Sequence, residues 1–91
     1  MKFFNFKRLF GSRKLMAVMD GDQKRELLAQ AEENIAEAIS YILRQRLTIA
    51  RLYREGQAVT DEVKTLEAMQ TSLHTLESVR KHLEIELEKN R

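Results

Sequence analysis

From Gln23 to Glu55 the chain runs without a glycine or proline, and apolar side chains return along it every three and four positions. A second such block runs from Asp61 to about Lys89. Apolar residues repeating at an average of 3.5 line one stripe of a long helix, and that stripe must be covered. In the first block Leu28, Ile35, Ile42 and Ile49 occupy one heptad position, and Ala31, Ala38, Gln45 and Leu52 the position three residues later. The second block answers with Val63, Leu66, Met69, Leu73, Leu76, Leu83 and Leu87. The chain is therefore predicted to be all-α: a long antiparallel, coiled-coil-like helical hairpin.

Residue punctuation marks the ends. Asp20 and Asp22 are N-cap candidates for a first helix over about 23–55. Gly56 can end that helix in a left-handed conformation, giving a turn over 56–60. Thr60 can cap a second helix over about 61–89, with Asp61 and Glu62 in its first turn, where the helix dipole favours negative charge. Facing residues in an antiparallel hairpin have numbers that add to a constant. Leu28 with Leu87, Ile42 with Leu73 and Ile49 with Leu66 each add to 115. Ala31 with Leu83, Ala38 with Leu76 and Gln45 with Met69 each add to 114. Ile35 would then face Arg80, so that layer is expected to use Val79, or to have Arg80 lying across it with its head in water. At 1.5 Å per residue the rod should be roughly 45–50 Å long.

One stripe per helix does not use up the apolar residues. Ala36, Leu43, Leu47 and Ala50 form a second stripe on the first helix, with Ile39 and Tyr53 between the two. Around residues 39–53 that helix is apolar over most of its circumference, which calls for burial on several sides. Homodimerisation into a four-helix bundle would bury it; so would docking of another protein's helix, or of the N-terminal segment. Leu28, Ile35, Ile39, Ile42, Ile49, Leu52, Leu66, Met69, Leu73, Leu76, Leu83 and Leu87 are the expected core or dimer-interface positions. Arg44, Arg46, Arg51 and Arg54 lie between Glu37 and Glu55 with no acid among them. They read as a solvated edge of the apolar stripe, or as a patch for phosphate or carboxylate.

The first nineteen residues differ from the rest. All four Phe lie within the first ten positions. Lys2, Lys7, Arg8, Arg13 and Lys14 give residues 1–19 a charge of +5, whereas the remainder, with 11 bases and 14 acids, carries −3. Were residues 3–14 helical, Phe3, Phe6 and Phe10 would cluster within about 60°, with Leu9 at their edge. Phe3, Phe4, Phe6, Lys7, Arg8, Leu9, Phe10, Arg13 and Lys14 are therefore the expected contacts of this basic aromatic arm, joined by Leu43, Arg44, Leu47, Arg51 and Arg54 on the first helix. A partner protein would take the Phe side chains as pocket anchors. A membrane surface would take the rings at the headgroup boundary and the bases against anionic lipid. The arm could also pack on its own hairpin.

Signals for catalysis are missing. His74 and His82 are eight apart, and there is no cysteine to complete a metal site or form a disulfide. No phosphate loop, di-iron Glu-x-x-His pattern or nucleophile pair occurs. No stretch approaches the ~20 apolar residues of a membrane span, and Lys7, Arg8, Arg13 and Lys14 interrupt any signal-peptide core. The expectation is a non-enzymatic, cofactor-free cytoplasmic protein, homodimeric as a four-helix bundle, that binds a larger protein as adaptor, regulator or inhibitor. A peripheral membrane protein anchored by the arm is the alternative, and a nucleic-acid-binding helical dimer using the first helix's arginines a further one.

Overall fold

A computed structural model describes residues 19–89, which form two helices: α1, Gly21–Arg54, and α2, Thr60–Lys89. They pack antiparallel into a hairpin about 55 Å long and 17–18 Å across. No strand occurs among the described residues. The arm, residues 1–18 of the sequence, lies outside them, and with it every contact expected of Phe3 to Lys14.

Of the two candidate caps, Asp20 begins α1. Its side chain accepts from the Gln23 backbone N–H at 2.8 Å, and the Gln23 side chain accepts in return from the Asp20 N–H at 3.1 Å. This reciprocal capping box satisfies two donors that the first turn would otherwise leave open, and α1 starts two residues earlier than expected. At the other end Gly56 has φ +76°, while the Gly56 N–H donates to the Tyr53 carbonyl and the Gln57 N–H to the Leu52 carbonyl. That pair of bonds is the Schellman arrangement, and glycine takes its left-handed residue without strain. Thr60 departs from expectation: it is the first residue within α2, whose first helical bond closes on the Val59 carbonyl.

The seam between the helices holds Ala31, Ile35, Ala38 and Ile42 of α1 against Met69, Leu76, Val79 and Leu83 of α2. Ala31, Ala38 and Leu83 are completely covered. Leu28, Leu66 and Leu73 border this core half-buried, and Ile49, Leu52 and Leu87 are half-buried towards the two ends. Ile39 is not a core residue of the hairpin: it is 44% exposed. It sits some 60° around α1 from Ile42, past the edge of the stripe that α2 covers.

The register differs from the sequence arithmetic by about one helical turn. Two polar contacts cross the seam: Lys24 Nζ to Glu86 Oε2 at 3.5 Å, and Gln45 Nε2 to the Glu62 carbonyl at 2.8 Å. Their residue numbers add to 110 and 107, not 114 or 115. A constant of about 110 sets Ile35 against Leu76, Ile42 against Met69 and Ala31 against Val79, so buried residues meet buried residues. It also explains why Val79 is buried while Arg80 stays at the margin and pairs with Glu84 at 3.6 Å. The cause is the loop. Residues 57–59 are not helical, and non-helical chain advances up to ~3.3 Å per residue against 1.5 Å in a helix. Three such residues can cover up to roughly 5 Å more than three helical ones, the pitch of one turn, which leaves room for this offset.

Candidate interaction surface

The second apolar stripe of α1 stands open. Ile39 is 44% exposed, Leu43 55%, Leu47 71% and Tyr53 75%, and Ala36 and Ala50 are exposed beside them. At 100° per residue Ala36, Leu43, Leu47 and Ala50 centre about 120° around α1 from the seam, too far for α2 to reach, with Ile39 and Tyr53 between the two. Single exposed apolar residues are ordinary on a protein surface, whereas a contiguous row is a mark of contact. Ile85 on α2, 43% exposed, is such a single residue.

The arginines border this row. Arg51 pairs with Glu55 at 3.3 Å, four residues on, and both side chains remain well exposed. The Arg44 guanidinium lies 5.7 Å from the centre of the Tyr41 ring, a cation–π distance. Tyr41 in turn donates its hydroxyl to Glu37 at 3.4 Å. Arg46 and Arg54 are exposed and make no ion pair among the described residues. Leu43, Arg44, Leu47, Arg51 and Arg54 thus all stand exposed on one length of α1. The structure brings them together; it says nothing of the arm residues expected to join them.

The open end of the hairpin carries a charge cluster that sequence reading passed over. Lys24 is 5% exposed, the one buried charge among the described residues, and its ammonium meets Glu86. Lys89 approaches the other Glu86 oxygen at 3.7 Å. Partial burial pushes the Glu86 carboxyl up, but Lys89, the Lys24 hydrogen bond and charge, and His82 outweigh it, leaving its pKa below the ordinary value. A signal for Lys24 existed: it lies seven residues before Ala31, in the same heptad column as Gln45. The two polar members of that column make the two polar contacts across the seam. A buried polar residue in a helical seam stabilises one register over its neighbours.

Among the described residues, no group of three or more His, Cys, Asp or Glu side chains is placed to hold a metal ion. His74 is exposed, and His82 is half-buried beside Glu86. No helix among them is long and apolar enough to cross a membrane. No protein-family model, curated protein or solved structure matches the chain.

Proposed function

We propose that this protein is a non-enzymatic interaction module that acts by occupying a surface of a larger protein, as an adaptor, regulator or inhibitor. Its contacts are the stripe of α1 and the basic aromatic arm. The observation that carries the reading is the row Ile39, Leu43 and Leu47, exposed at helical spacing on a long helix and bordered by Arg44, Arg46, Arg51 and Arg54. An apolar row with a cationic rim is the usual build of a docking face: the apolar part supplies affinity, and the rim supplies orientation and on-rate. Residues that hold the hairpin together are elsewhere on α1, so the stripe is spared from folding duty.

The test is capture of a defined partner from an extract of the native host by the full-length chain. Leu43→Glu with Leu47→Glu, and separately Phe6→Ala with Phe10→Ala, should leave the chain helical and lose the partner. Retention by both pairs of substitutions overturns the reading. Binding of anionic vesicles in place of protein, weakened by salt, would transfer the arm to the membrane alternative. Salt-dependent binding of RNA or DNA, reduced by Arg44→Glu with Arg51→Glu, would instead support a nucleic-acid role.

A further inference from the structure

The exposed stripe of α1 is mirror-symmetric about one residue. Counting outward from Leu43, Ile39 and Leu47 lie four positions away, Ala36 and Ala50 seven, and Glu32 and Arg54 eleven. All seven residues are exposed, and at 100° per residue they fall within about 80° of one another. The charges of the helix divide at the same place. From Glu26 to Leu43 the chain contains Glu26, Glu32, Glu33 and Glu37 and no Lys or Arg; from Arg44 to Arg54 it contains four arginines and no acid. The helix dipole favours such a gradient only in the first and last turns, and these blocks reach far past them to meet at mid-helix.

A face whose apolar positions read alike from either end, and whose charges change sign when it is reversed, is complementary to itself turned end over end. We infer that the stripe docks on the same stripe of a second copy of this chain, antiparallel, with the two-fold axis at Leu43. This rests on the reading of the stripe as an interface and names its occupant. In this isologous contact Leu43 meets the partner's Leu43, and Ile39 packs on the partner's Leu47. Ala36 lies opposite the partner's Ala50, so small residues flank the centre on both sides and the backbones approach closely. Glu32 reaches the partner's Arg54, with the partner's Arg51 beside Glu33. The paired length from Glu32 to Arg54 is about 33 Å. A parallel pairing would set arginine on arginine and glutamate on glutamate, which is unfavourable. Because the stripe lies about 120° from the seam, the dimer joins through α1 alone, with both α2 helices outside. The larger protein then meets the dimer at the arms and at the outer edge at Arg44, and the stripe serves that contact by joining the two copies.

The dimer is tested by sedimentation equilibrium of the full chain over a concentration series, where a mass rising from 10.7 kDa to twice that value is expected. Leu43→Glu, which sets two carboxylates against each other at the axis, should weaken association about 100-fold or more. Arg54→Glu should weaken it about 10-fold, and Glu32→Arg combined with Arg54→Glu should restore it to within a few-fold, since the pair is only exchanged. The chain has no cysteine, so a single Leu43→Cys should cross-link to itself on mild oxidation, whereas Ile85→Cys on α2 should not. A chain that stays at 10.7 kDa throughout overturns the inference. So does a dimer that fails to cross-link at Leu43→Cys, or one that the exchanged pair does not rescue. If the chain is monomeric and Leu43→Glu with Leu47→Glu still loses the captured protein, the second copy is ruled out and the interaction module stands. If it is dimeric and captures nothing, the reverse holds.

Discussion

Two stripes of one helix share a spacing and have opposite fates. Ala31, Ile35, Ala38 and Ile42 are covered by α2, while Ile39, Leu43, Leu47 and Ala50 are not. The difference lies in residue size as much as in position. The seam alternates Ala with Ile on α1 and meets Met69, Leu76, Val79 and Leu83 of α2, and its small members let the two helices approach closely. The open stripe places its large residues consecutively at its centre and its alanines outside. The seam holds the hairpin and the stripe is left open, and substitutions can be chosen that separate the two.

The largest effect should come from the seam. Leu83→Ala removes a fully covered side chain and should cost about 2–5 kcal/mol, enough to unfold much of so small a domain. Leu47→Ala on the stripe, read at concentrations where the chain is monomeric, should change its stability by less than about 0.5 kcal/mol. Equal losses in denaturant titration would erase the distinction between the stripes. Next comes the bend: Gly56→Ala places a Cβ on a left-handed residue and should cost about 1–2 kcal/mol, although no side chain lies near it. A neutral result would mean that the loop relaxes without cost.

The smallest expected effect is at the open end. The folded Glu86 pKa lies below the ordinary carboxylate value of 4.5. Its contribution is therefore fully present above that pH and is lost as pH falls through the lowered folded value. Melting temperature followed on acidification should decline less steeply for Glu86→Gln than for the unmodified chain. Parallel curves would show that the Lys24 and Lys89 contacts do not couple to folding.

Heptad spacing made the helices, their ends and most of the seam legible from sequence, because a repeat of three and four has one low-energy interpretation in a chain without proline. Asp20 and Gly56 were legible for the same reason: each residue type suits one backbone state. The register was not. It depends on how far residues 57–59 travel, and no periodicity encodes that. Thr60 was misplaced by one residue, since a hydroxyl before an acidic pair reads equally as cap or first turn. Lys24 escaped notice because a lysine in a seam is taken for a surface residue until its partner, Glu86, is known. Of the candidate surface, Leu43, Leu47 and the arginines could be placed by angle alone; what binds them depends on a second molecule, which a single chain's periodicity does not describe.

The unbroken length of α1 has a mechanical consequence. Leu43 stands 23 residues from Asp20, about 34 Å along a stiff rod. Two copies crossing antiparallel at Leu43 would set the Asp20 ends of their α1 helices about 70 Å apart. Such an object would work as a gauge: it would engage most firmly where two binding points are separated by that span, and less so where a target offers one point or a closer pair.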